Sequence, residues 1–134
     1  MARNRLDTVL KAAADRTRLR LLNLLRLGSI CVCDLQAVLR VSQPTVSRHL
    51  AALRHAGLVN DVRKGMRIVY SLTPADSTEI DALHRLLDRC WPEDALMRED
   101  IERFRRAVAA GQCRLEVGVT EDSPPETLLQ ERPA

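Results

Sequence analysis

Between Gly57 and Pro74 the apolar residues change period, and this change restricts the possible folds more than any other feature of the chain. Upstream they recur every three or four positions. Inside the segment Ile68, Tyr70 and Leu72 alternate, as in a strand with one buried face. A second run near Val59–Arg63 precedes them and Lys64-Gly65 supplies a turn, so the segment predicts a β-hairpin. Its tip is basic, with Arg63, Lys64 and Arg67.

Helical patterns flank the hairpin. Leu6, Val9, Leu10 and Ala13 stand at i, i+3, i+4 and i+7 and predict a first amphipathic helix. Asp15 is placed to cap a second helix carrying Leu19, Leu22 and Leu25, which Gly28 closes. Val32, Leu35, Val38 and Leu39 mark a short third helix ending before Val41. Ser42 opens a fourth, with Pro44 tolerated in the first turn, Val46, Leu50 and Leu53 as its buried stripe, and Gly57 as its stop. Beyond Pro74, Asp76 and Glu79 have capping-box spacing before Ile80, Leu83, Leu87 and Cys90, a fifth helix. Pro92 interrupts, and Met97, Ile101, Phe104 and Val108 form a sixth stripe with heptad-like spacing. From about Gly111 the pattern dissolves. Residues 1–110 are therefore expected to form the folded domain and residues 111–134 a flexible acidic tail.

Composition excludes several classes. With 46% hydrophobic and 29% charged residues in 134, the chain should bury a core. No run approaches the roughly 18 apolar residues of a membrane span. The start, Met1-Ala2-Arg3-Asn4-Arg5, has no apolar signal segment, so a cytoplasmic protein without membrane contact is expected. The only aromatics, Tyr70, Trp91 and Phe104, cannot build a base-stacking platform for single strands. The 5 glycines form no phosphate-cradling motif, so no nucleotide cofactor is expected. Charge is uneven: residues 1–73 hold 13 Lys or Arg against 4 Asp or Glu, and residues 74–134 hold 8 against 14. A basic first half fits a polyanionic partner.

Three helices followed by a short basic hairpin give the order of a winged helix-turn-helix, mostly α with a small β-hairpin. The fourth helix would read DNA. With Val46, Leu50 and Leu53 turned inward, Thr45, Ser47, Arg48, Ala51, Ala52 and His55 point sideways or outward. Arg48 can reach a guanine edge or a phosphate, and Gln43 and Thr45 stand at the helix N-terminus, where bases are usually touched. A solvated polar face is the plain alternative, but no acidic residue occurs from Val41 to Asn60. His49 falls nearer the buried side and is expected to pack.

The segments Asp15-Arg16-Thr17-Arg18-Leu19-Arg20-Leu21-Leu22, Ser42-Gln43-Pro44-Thr45-Val46-Ser47-Arg48-His49-Leu50 and Leu53-Arg54-His55-Ala56-Gly57-Leu58-Val59 resemble the ArsR/SmtB family of metalloid- and metal-responsive repressors. The likeness runs from about Leu6 to Pro74. It implies a homodimer joined through the first and post-wing helices, bound to double-stranded operator DNA until an inducer arrives. It also implies that Gln43, Thr45, Ser47 and Arg48 face the operator and that Arg63, Lys64 and Arg67 form the wing.

Cys31-Val32-Cys33-Asp34-Leu35 carries the second signal. Closely spaced thiols in a reducing compartment are more often ligands or redox groups than disulfides, and soft thiolates select soft ions. Within the family the run resembles the CVCDL signature of arsenite and antimonite repressors. The inducer implied is As(III), Sb(III) or a methylated trivalent arsenical, with no resident cofactor. Gln36 stands where that pattern often has a third cysteine. The family's other metal site, on the helix after the wing, has only His84 here, read as a surface residue. A third sulfur would come from Cys113 or Cys90; Cys113 is favoured because its segment can move, whereas Cys90 lies on an apolar stripe and is expected to be buried. Residues two apart lie about 200° around a helix, so Cys31 should be buried and Cys33 exposed, and joint ligation should unwind the start of the third helix. A redox or sulfide sensor using Cys31 and Cys33, or Cys90 and Cys113, is the alternative. A thiol reductase is disfavoured because no His lies near the CxC in sequence to act as base, and no enzyme is expected.

Overall fold

The computed structural model describes residues 5–116. Helix α1 (Leu6–Ala13) leads to α2 (Arg16–Leu25), strand β1 (Ile30–Cys31), α3 (Val32–Leu39) and α4 (Gln43–His55). The hairpin β2 (Val59–Lys64) and β3 (Arg67–Leu72) follows, then α5 (Thr78–Cys90), a 3₁₀ turn at Trp91–Glu93 and α6 (Ala95–Ala109). The mixed fold of helices and a small hairpin is therefore as expected. The Asp15 carboxylate accepts from the Arg18 N–H at 3.1 Å and starts α2. Gly57 at φ +81 ends α4 in the left-handed conformation that leaves the Leu58 N–H to reach the Leu53 carbonyl at 2.9 Å.

Five local expectations are corrected. The sheet has three antiparallel strands in the order β1-β3-β2, because Ile30 pairs with Tyr70 and Cys31 with Val69. Both faces of β3 are covered, Tyr70 by the main core and Val69 by a second cluster with Cys31 and Val62, so two successive residues are buried instead of one alternating face. The α5 cap is Ser77, whose hydroxyl accepts from the Ile80 N–H at 3.3 Å, and not Asp76. Leu6 and Leu10 are exposed while Val9, Ala12 and Ala13 carry the buried side of α1. Cys90 is exposed at the end of α5, one step beyond the face that buries Ile80, Leu83 and Leu87.

One core gathers Leu21, Leu22, Leu35, Leu50, Leu53, Ile80 and Phe104. A buried ion pair fixes α6 to it. Asp100 is fully buried and accepts from Arg20 Nε at 2.8 Å and Nη2 at 2.9 Å. Arg103 stands 3.4 Å from the same carboxylate and donates to the Val38 carbonyl at 2.7 Å, while Arg20 also donates to Leu39 at 3.2 Å. These bonds satisfy carbonyls at the end of α3, so α2, α3 and α6 share one polar knot.

Chain segment 111–116, expected to begin the tail, packs back on the domain. Leu115 is buried, and Glu116 forms a one-residue bridge with Ser29 through bonds of 2.6 and 2.9 Å. Residues 117–134 lie outside the described residues. Among the described residues no helix is long and apolar enough to cross a membrane.

Candidate DNA interface and thiol cluster

Helix α4 packs on α2 and α3 through Val46, Leu50 and Leu53, all fully buried. That packing turns Gln43, Ser47 and Arg48 outward and leaves Thr45 half-buried, its hydroxyl accepting from Ser42 Oγ at 2.9 Å. His49 packs instead: its Nδ1 accepts from Arg18 Nε at 3.1 Å. The exposed helix therefore presents small, hydrogen-bonding and cationic groups to solvent, with the N-terminal dipole favouring phosphate.

The basic residues of the hairpin tip divide. Arg63 is exposed. Arg67 turns back onto the buried Glu116 at 3.0 Å, and Lys64 stands 3.9 Å from the other oxygen of the same carboxylate. Glu116, a lone acid in a segment without periodicity, had no signal in the sequence.

The thiols divide as well. Cys31 precedes α3 in extended backbone (φ −76, ψ 156) and is buried, whereas Cys33, in the first turn, is exposed; both are as expected, but it is the pairing of Cys31 with Val69, and not a helical turn, that buries Cys31. Cys113 is half-buried against the core, and the next residue's N–H donates to Asp34 Oδ2 at 2.9 Å. That bond carries Cys113 to the start of α3. Burial pushes the Cys31 thiol up to about 11, with the Asp34 carboxylate adding to the rise. Burial also pushes Cys113 to about 12, followed by Asp34 and by Cys31 itself. The two thiols thus share Asp34 as a neighbour and lie within electrostatic reach of each other. Cys113 further lines a cavity of ≈ 430 Å³ with Ala37, Arg40 and Arg103. Cys33 and Cys90 are not part of this arrangement, and among the described residues no group of three His, Cys, Asp or Glu is ready to hold a metal ion. His84, expected on the surface, is half-buried, its Nε2 has no hydrogen-bond partner among the described residues, and burial lowers its pKa. Asp34 belongs to the quoted cysteine motif, but its hold on the C-terminal segment could not be read from it.

Residues 15–61 match the model of the bacterial regulatory protein arsR family. The arsenical resistance operon repressor of Escherichia coli K12 is 39% identical over 105 residues, 77% of this chain and 84% of that protein. The chain belongs to the arsR family. The arsenic resistance transcriptional regulator ArsR1 of Pseudomonas putida is 47% identical over 76 residues, 56% of this chain, and that match spans only 59% of ArsR1. Among solved structures, HlyU from Vibrio cholerae superposes with a TM-score of 0.59 at 36% identity, covering 66% of this chain and 92% of HlyU. The repressor BigR from Xylella fastidiosa gives 0.53 at 27% identity, covering 66% and 81%. As an arsR-family member the chain is a winged-helix transcriptional regulator that binds operator DNA.

Proposed function

We propose that this regulator is a homodimeric repressor released from its operator by trivalent arsenic or antimony bound to cysteine thiols. The observation that carries the reading is the hydrogen bond from the Arg114 N–H to Asp34, which brings the segment carrying Cys113 to the start of α3, beside the Cys31–Cys33 pair and on the helix that packs against α4. Cys33 completes a three-sulfur set once the first turn of α3 unwinds, because extended backbone places alternate side chains on one side. Arsenous acid suits protonated thiols. Each As–O bond gives way to an As–S bond, and the thiol proton leaves with the hydroxide as water, without an oxidant. A divalent ion must instead expel those protons. Exposed Leu6 and Leu10 on α1 and Leu86 on α5 support dimerisation through these two helices, which touch each other.

The test is an operator-release titration under anaerobic reductant. Arsenite should release DNA with no oxidant present; release that requires an oxidant would favour the redox-sensor reading. Arg48→Ala should cost about 1–3 kcal/mol of operator affinity and relax preference at one base pair. Binding measured across single-base operator variants decides this point. A uniform loss on every variant would make Arg48 a phosphate contact.

A further inference from the structure

The segment that carries Cys113 reaches the wing through Glu116. From Asp34, which holds the Arg114 N–H, the chain buries Leu115 and then lies along β1, where Glu116 and Ser29 exchange backbone hydrogen bonds. Gly28 makes room for it: a Cβ there would stand 2.8 Å from Leu115 Cδ1 and 2.9 Å from the Glu116 carbonyl oxygen. The Glu116 carboxylate is 1% exposed and meets two of the three cations at the hairpin tip, Arg67 at 3.0 Å and Lys64 at 3.9 Å. Its Oε1 is buried with no hydrogen-bond donor among the described residues. A buried carboxylate so incompletely satisfied is costly to keep and open to exchange for a better-solvated arrangement.

We propose that Glu116 is an intramolecular rival of the operator phosphate, occupying Arg67 and Lys64 whenever the strap of residues 112–116 is docked. Carboxylate and phosphate oxygens ask the same of a guanidinium, so the wing cannot give Arg67 to both at once. DNA binding must lift Glu116 away, and docking of the strap opposes DNA. The second half of the idea rests on the arsenical reading above. Glu116 lies three residues from Cys113, so tying Cys113 into a shared thiolate site raises the effective concentration of Glu116 at the wing. Inducer binding then removes two cations from the DNA face while acting through a site at the start of α3.

Glu116→Gln keeps the shape and removes the charge. In the full-length protein without inducer, this variant should bind operator roughly three- to tenfold more tightly at low salt. Its log K against log salt line should steepen by about one to two, the signature of one or two additional phosphate contacts. The gain should vanish when Arg67→Gln and Lys64→Gln are already present, and a matching thermal melt separates these effects from misfolding. Arsenite should weaken the operator affinity of Glu116→Gln by a smaller factor than that of the parent. Parental affinity and salt slope in a folded Glu116→Gln protein would overturn the rivalry. Tighter binding with an unchanged response to arsenite would overturn the link to the thiols. Failure of the unaltered chain to respond to arsenite would overturn that link together with the arsenical reading, leaving the rivalry to the salt slopes.

Discussion

Asp100→Ala should lower the folding stability of the domain by about 3–5 kcal/mol, the range for removing one partner of a buried ion pair. Asp100 is closed off from water: its side chain is 0% accessible, and that of Arg20 is 12% accessible. Without the carboxylate, the Arg20 and Arg103 guanidiniums are left near each other with their mutual repulsion unscreened. Both also hold carbonyls at the end of α3, Arg20 that of Leu39 and Arg103 that of Val38, so the damage spreads to three helices. Against a typical domain stability of about 5–15 kcal/mol, such a loss leaves a large unfolded fraction at physiological temperature. Urea unfolding of parent and variant measures it directly, read at constant slope so that a change in midpoint reports stability. A loss below about 1 kcal/mol would place the pair with surface bridges of little worth. The exposed pair of Arg85 and Asp81 is the internal control, since its removal should change the midpoint hardly at all.

Cys31→Ser and Cys33→Ser should each abolish release by any arsenical while operator binding persists. Turning a DNA-bound population from 99:1 to 1:99 takes roughly 5.5 kcal/mol of differential binding, and the loss of one strong ligand of three removes much of it. Cys31→Ser carries a second cost. The position is buried opposite Val69, and a hydroxyl left there without a partner destabilises by about 1–3 kcal/mol. Exposed Cys33 has no such burden, so the melting temperatures of the two variants should differ although both lose induction. Cys113→Ser should blunt arsenite more than methylarsenite, which two sulfurs can satisfy. Cys90→Ser should respond as the parent does, since Cys90 stands exposed on a different helix. Gel-shift titrations of the four variants read all of this; a parental response to arsenite from both Cys113→Ser and Cys90→Ser would make the site two-coordinate.

How much of this the sequence contained depends on how local the cause is. The helices of the DNA-reading half, their caps at Asp15 and Gly57, and the hairpin follow from the spacing of neighbouring apolar residues and from backbone freedom at single positions. The outward set on α4 follows equally, because Val46, Leu50 and Leu53 leave the other positions no inward direction. Periodicity failed where two elements share a burden. Ile30 and Cys31 are too short a run to signal a strand, and they become one only because Tyr70 and Val69 offer them a ladder. Asp76 and Ser77 are both good caps, and the chain path out of β3 selects Ser77. Cys90 fits the apolar spacing of α5, yet none of the described elements covers it.

The largest gap lies in the segment after α6. Cys113, Leu115 and Glu116 carry no helical or strand rhythm, so the sequence by itself determined only that regular structure stops near Gly111. Their meeting with Asp34, the core and the wing was decided by the tertiary structure. Asp34, Ser29 and Arg67 are far from them along the chain, and a contact between distant residues leaves no local pattern. The sequence determined the helical scaffold and the exposure of Cys33, because both follow from local helix geometry, whereas Cys31 is buried by its strand pairing with Val69. Only the folded chain decided that Cys113 reaches Asp34 and that Glu116 holds Arg67, because those contacts exist only once α6 has been anchored by Asp100 and aims the following residues back across β1.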